Sequence, residues 1–134
     1  MLTDDMRQRL ISLAIDNMKY AYVPYSNYPV SAVLLTQSGE IYTGVNIENA
    51  AYPVTICAER VAVFKAVSDG EKDFSVMAVV TNNGGTPCGS CRQVLAEFGL
   101  DTIVIVADKN GKIILEQSVA QLLPGAFRPG DLIT

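Results

Sequence analysis

The sequence contains no histidine and only three cysteines. With no imidazole available, a transition-metal site in this chain must be built from sulfur and oxygen donors. An odd number of cysteines argues against a disulfide framework and points to thiol or metal chemistry. Basic residues are scarce too: ten Lys and Arg stand against fourteen Asp and Glu, for a net charge of −4. They are scattered, so the chain lacks the basic stripe that polynucleotide binding needs, and a small substrate is favoured over RNA or DNA. No apolar run approaches the roughly 20 residues of a membrane span. The longest, such as Ile103 to Ala107, are strand-sized. The start, Met1-Leu2-Thr3-Asp4-Asp5, is acidic and has neither the basic nor the apolar region of a signal peptide, so a cytoplasmic location is expected. Low-complexity tracts are absent as well, which argues against disorder. What remains is 134 residues, 49% of them hydrophobic, enough for one core and one domain over residues 1–134.

The periodicity predicts a helix from Thr3 to about Ala21, with Thr3 or Asp4 as its cap. A Tyr- and Pro-rich loop, Tyr22 to Pro29, follows. Val30 to Thr36 and Ile41 to Val45 read as strands joined by a turn at Gln37–Glu40. Asn46 to Ile56 reads as irregular. Cys57 to Val67 reads as a helix apolar nearly all round, the pattern of a buried helix. Phe74 to Thr81 is a strand, Asn82 to Thr86 a Gly-rich loop, and Pro87 is expected to open a further helix ending near Gly99. Thr102 to Ala107 is an interior strand and Lys112 to Leu115 another. Ser118 caps a short last helix. The order αββαβαββα implies crossover connections and a sheet covered on both faces.

Two helix starts carry the chemistry. Cys57-Ala58-Glu59 opens one, and Pro87-Cys88-Gly89-Ser90-Cys91 opens the other. Cys88 and Cys91 are one helical turn apart, so their sulfurs share a side. The free N–H groups at a helix start favour thiolates, the form that binds zinc. Three protein ligands leave a fourth tetrahedral position open, and no further Cys or His exists to fill it. That position would hold a water, whose pKa zinc lowers towards neutrality. Three thiolates make the site negative. Arg60 and Arg92 stand close by in sequence, and Arg60 is expected to donate to a thiolate. Glu59 is placed to take the water's proton, pass it to a ring nitrogen and protonate departing ammonia. The alternative for Glu59 is simple stabilisation of a helix start; for Arg60 it is a surface position. Cys57-X-Glu59 with a later Pro-Cys-X-X-Cys matches the zinc deaminase pattern.

Tyr25-Ser26-Asn27-Tyr28, Asn46-Ile47-Glu48-Asn49-Ala50-Ala51-Tyr52, Cys57-Ala58-Glu59-Arg60, Pro87-Cys88-Gly89-Ser90-Cys91-Arg92-Gln93 and Leu122-Leu123-Pro124-Gly125-Ala126-Phe127 together resemble the small homotetrameric cytidine deaminases. The likeness spans nearly the whole chain. It implies a three-layer α/β/α fold with a five-stranded mixed sheet, one zinc per subunit and a homotetramer with shared active sites. It also implies hydrolysis of cytidine and deoxycytidine to uridine and deoxyuridine, with release of ammonia, in pyrimidine salvage. By the same resemblance Cys57, Cys88 and Cys91 bind zinc, a zinc-bound hydroxide attacks C4, and Glu59 shuttles protons. Asn46 and Glu48 bind the ribose hydroxyls, the Ala58 backbone meets the amide edge of the base, and Phe127 reaches a neighbouring subunit's site. Tyr28 stands where the family usually has a Phe beside the base, and Ser31 where it tends to have Gly. Asn46 and Glu48, two apart in an extended segment, point to the same side.

Three other readings compete. Cys88-Gly89-Ser90-Cys91 alone fits a thiol–disulfide oxidoreductase, but that reading needs neither Cys57 nor Glu59. A non-catalytic zinc-stabilised module would make Glu59 dispensable. Deaminases of blasticidin, guanine or tRNA share the metal pattern, and the Asn46–Asn49 segment and acidic charge argue against tRNA.

Overall fold

The computed structural model describes residues 2–132. Its helices are α1 (Asp4–Asn17), α2 (Ala58–Ser68), α3 (Gly89–Glu97) and α4 (Val119–Leu122). Its strands are β1 (Val30–Thr36), β2 (Ile41–Val45), β3 (Phe74–Thr81), β4 (Ile103–Asp108) and β5 (Ile113–Ser118). The chain order is the αββαβαββα expected. The strands form one sheet in the order β2-β1-β3-β4-β5, antiparallel except for the parallel pair β3 and β4. The sheet is therefore mixed and five-stranded.

Alternation along the strands divides the core in two. Val33, Val76, Ala78, Val80, Ile105 and Ala107 face α1 and pack on Leu10, Ile11 and Ala14. Ala32, Leu34, Met77, Val79, Val104 and Val106 face the other way, onto Ala62, Val63 and Ala66 of α2 and Leu95 of α3. The three layers follow: α1, the sheet, then α2 and α3. Among the described residues no helix is long and apolar enough to cross a membrane.

Several boundaries differ from the sequence reading. Thr3 caps α1 by accepting from the Met6 N–H at 3.2 Å, but the α-helix ends at Asn17 and a 3₁₀ turn, Met18–Tyr20, replaces its last expected turn. The chain must then extend, because the Tyr22 N–H donates to the Asn46 carbonyl and the Glu48 N–H to the Tyr22 carbonyl. The segment read as irregular is pinned by two lone bridges, Tyr22 with Ile47 and Ile47 with Ile56, and holds a 3₁₀ turn at Tyr52–Val54. Pro87 does not open α3; Cys88 is its N-cap and the helix begins at Gly89. Strand β5 runs three residues past Leu115, to Ser118, which also caps α4. Helix α2 is not buried all round: its Phe64 is 45% exposed in the single chain.

Arg7 ties α1 to the edge strand. Its guanidinium grips both oxygens of Glu116, at 2.7 and 2.9 Å, and reaches Asp4 at 2.8 Å.

Candidate metal and catalytic site

The site lies where α2 and α3 begin. Cys57 is the N-cap of α2 and Cys88 the N-cap of α3, both with extended backbone and neither with a side-chain capping bond. Both thiols therefore stand at the positive end of a helix, where negative charge is favoured. Cys91 lies in the first turn of α3. The close seat of α2 on the sheet depends on Gly44 of β2, against which the α2 backbone rests.

The sulfurs of Cys57 and Cys88 are 4.0 Å apart, those of Cys88 and Cys91 3.5 Å, and all three lie within 4.8 Å of one another. A tetrahedral zinc about 2.3 Å from each sulfur requires separations of about 3.8 Å. The donor set fits such an ion in spacing and chemistry. Three sulfurs this close cannot all be thiolates without a cation among them. The protein alone stabilises one: the Cys57 thiol is drawn down to about 5, chiefly by the neighbouring Cys91 thiol and then by Arg60. The Cys91 thiol is pushed up, first by the neighbouring Cys57 and then by burial.

Arg60 donates from Nη2 to the Cys57 sulfur at 3.3 Å, and among the described residues its buried Nε finds no partner. Arg92, the other basic residue near the motifs, does not serve the sulfurs. It donates to the carbonyls of Pro87, at 2.9 Å, and Leu122, at 3.1 Å, and so fixes the loop before α3 to α4. Glu59 is 4% exposed, and its Oε2 lies 3.5 Å from the Cys91 sulfur. Burial holds its carboxyl above the ordinary carboxylate range.

Cys57, Ala58, Glu59 and Cys88 open onto a cavity of about 160 Å³, walled further by Tyr28, Val30, Thr81, Gly85 and Thr86. Of the residues singled out in the sequence, the structure brings these four and Tyr28 together there. Val30, Thr81, Gly85 and Thr86 were not singled out; their one signal was position, at strand ends and in the Gly-rich loop.

The remaining residues stand around this cavity. Asn46 Oδ1 accepts from the Val30 N–H and its Nδ2 donates to the Tyr28 carbonyl, both at 2.9 Å, so it steers the chain that delivers Tyr28. Glu48 accepts from the N–H groups of Tyr25 and Ser26 and from the Ser26 hydroxyl. These bonds, the hydroxyl's first, hold its carboxyl below the usual range. Glu48 borders a separate groove with Tyr25, Ser26, Tyr52 and Thr55. Phe127 is 54% exposed and lies outside its own chain's cavity; its carbonyl accepts from Gln93 Nε2 at 2.8 Å. Ser31 is fully buried on β1, and among the described residues its hydroxyl has no partner.

A sheet between helical layers, with three thiols and a buried carboxylate gathered at two helix starts, defines a class: α/β/α proteins with a three-cysteine zinc site. Residues 4–107 match the cytidine and deoxycytidylate deaminase zinc-binding region. The chain belongs to the cytidine and deoxycytidylate deaminase family. It is 50% identical to a cytidine deaminase of Sporosarcina psychrophila over 127 residues, 93% of each chain. It is 49% identical to one from Halalkalibacterium halodurans over 129 residues, 94% of this chain and 97% of that one. The crystal structure of cytidine deaminase from Burkholderia pseudomallei superposes with a TM-score of 0.85 at 39% identity, covering 94% of this chain and all of the other.

Proposed function

We propose that this chain hydrolyses cytidine and deoxycytidine to uridine and deoxyuridine, releasing ammonia. The observation that carries the proposal is the meeting of three sulfurs, all within 4.8 Å, beside a buried carboxylate, with two of the sulfurs and the carboxylate lining one cavity. Cys57, Cys88 and Cys91 hold one zinc ion. Bound there, zinc supplies a Lewis acid that makes water nucleophilic near neutral pH.

The chain's own groups do the rest. Glu59, kept by burial at a raised pKa, takes a proton from the attacking water and gives it to the ring nitrogen next to C4. It then takes the second proton, from the hydroxyl now on C4, and passes it to the amino group; the C–N bond breaks, ammonia leaves and the C4 carbonyl of the product forms. Arg60 offsets thiolate charge through Cys57. The Ala58 backbone meets the amide edge of the base, and the Tyr28 ring forms a wall beside it.

Asn46 and Glu48 take the sugar hydroxyls. Their bonds to the 25–30 segment leave them spare capacity, a second N–H on Asn46 Nδ2 and free lone pairs on Glu48. A site that binds sugar hydroxyls rejects free cytosine strongly.

The working unit is a homotetramer of single-domain subunits, with Phe127 reaching a neighbour's cavity. The bare Phe64 on α2 and the exposed Phe127 ring support that arrangement. Its setting is pyrimidine salvage in the cytoplasm, where free thiols persist. The test is ultraviolet absorbance of the purified protein with cytidine, before and after zinc chelation. Loss of the cytidine band that stops on chelation and resumes with zinc is the expected result. No absorbance change with zinc-loaded protein would refute the proposal.

A further inference from the structure

The cavity wall holds a hydrogen-bonded unit whose hub is not itself a lining residue. Tyr28 donates its hydroxyl proton to Asn83 Oδ1 at 2.7 Å. Thr81 donates to the same oxygen at 3.3 Å and accepts from the Gly85 N–H at 2.8 Å. Tyr28, Thr81 and Gly85 all line the cavity that contains Cys57, Glu59 and Cys88; Asn83 stands behind them.

Space reinforces the bonds. A Cβ built on Gly85 would come 2.6 Å from the Tyr28 hydroxyl oxygen, far inside contact distance. Its next neighbours, Asn83 Oδ1 at 3.6 Å and Tyr28 Cζ at 3.8 Å, are ordinary contacts. The hydroxyl of Tyr28 is thus the single atom that excludes a side chain at position 85. On the other side of the loop, a Cβ on Gly84 would strike Ile114 of β5 at 2.5 Å. The 82–86 loop is held between Tyr28 and the edge strand, and it leads directly to Cys88.

We propose that Asn83 is a positioning residue: with Thr81 and Gly85 it latches the Tyr28 hydroxyl and so fixes the Tyr28 ring as the wall against which the base is held. The inference rests on the base-binding role assigned to this cavity above. The latch joins the Tyr22–Pro29 loop to the loop before α3, two segments otherwise separated in sequence by three strands and a helix. Because the hydroxyl is spent on Asn83, Tyr28 offers the base its ring face rather than a donor. Replacing the tyrosine by phenylalanine would free the ring from this tether.

Steady-state kinetics with cytidine and thermal melting, on zinc-loaded protein, test this together. Asn83→Ala raises KM about five-fold, the worth of one hydrogen bond, with kcat within about two-fold and zinc content unchanged. Asn83→Asp keeps the accepting oxygen and restores KM. Tyr28→Phe raises KM, and the double variant with Asn83→Ala goes no higher than the worse single, since both lose the same bond. Gly85→Ala lowers the Tm, and adding Tyr28→Phe recovers it. An unchanged KM in Asn83→Ala, fully additive effects, or no recovery of Tm would overturn the latch. Recovery of Tm in a protein that never turns over cytidine would contradict the proposed function while supporting the latch.

Discussion

Gly44 of β2 lies directly against the backbone of Ala58: a methyl group added at Gly44 would sit 2.3 Å from the Ala58 carbonyl oxygen and 2.6 Å from the Ala62 nitrogen. Both atoms belong to the first turns of α2, so the helix cannot yield locally. It must move as a body, taking Cys57 and Glu59 with it. Gly44→Ala is expected to cost about 1–3 kcal/mol of stability, as overpacking does, and to weaken zinc binding. Denaturant unfolding and metal titration measure the two effects.

If Glu59 carries the proton, its loss should separate metal binding from turnover. Glu59→Gln keeps the shape and removes the exchangeable proton, so turnover is expected to fall by about 10²–10⁴. Zinc content should remain at one per chain. Near-normal turnover in this variant would remove Glu59 from the proton path.

Glu48 gives the fold an acid limit. Its folded pKa lies below the ordinary value because three donors hold its charged form. The stability it contributes is therefore fully present above the unfolded carboxylate pKa and lost as pH falls through the folded one. The Tm of the wild-type protein should fall with acidification below that range. Glu48→Gln should show a lower Tm at neutral pH and a shallower acid slope. Parallel slopes in the two proteins would contradict the assignment.

Ser31 carries a hydroxyl in the core that has no partner among the described residues. Removing an unpaired buried hydroxyl is stabilising, and Ser31→Ala is expected to raise stability by about 1 kcal/mol. A lower Tm in that variant would mean the hydroxyl has a partner in solution.

Phe127 and Glu59 should complement each other across subunits. Phe127→Ala protein lacks the reaching ring, and Glu59→Gln protein lacks the proton carrier. If each cavity draws its ring from a neighbour, mixed oligomers contain some sites with both groups intact. Activity above that of either variant alone is the expected outcome of co-refolding, and sedimentation should report four chains per particle.

Much of this was legible in the sequence where local chemistry decides. Strands β1, β2 and β3 match their expected bounds, because β-branched and apolar runs ended by turn residues leave little choice. That the three cysteines and Glu59 come together was readable because two helix starts carry them at a spacing that points to one place. Distant contacts decided the rest. The last turn of α1 gave way to a bridge between Tyr22 and Ile47, which lie 25 positions apart and carry no mutual signal. The end of β5, Glu116-Gln117-Ser118, is polar because it lies on an edge, and so it reads as loop. The apolar outer face of α2 read as burial within the chain, whereas the single chain leaves Phe64 bare. Asn83 showed nothing in sequence beyond a loop residue, since its role exists only once Tyr28 arrives from another part of the chain.

Cys57 and Cys88 stand 31 positions apart, and the stretch between them comprises α2, β3 and the loop into α3. An ion gripping both ends fastens that stretch into a ring, much as a covalent staple would, and a ring of this length removes freedom chiefly from the unfolded chain. Stripping the ion should therefore do more than silence the enzyme. It should leave the backbone around Asn82–Thr86 open to nicking by proteases, so that metal supply sets the protein's lifetime as well as its rate.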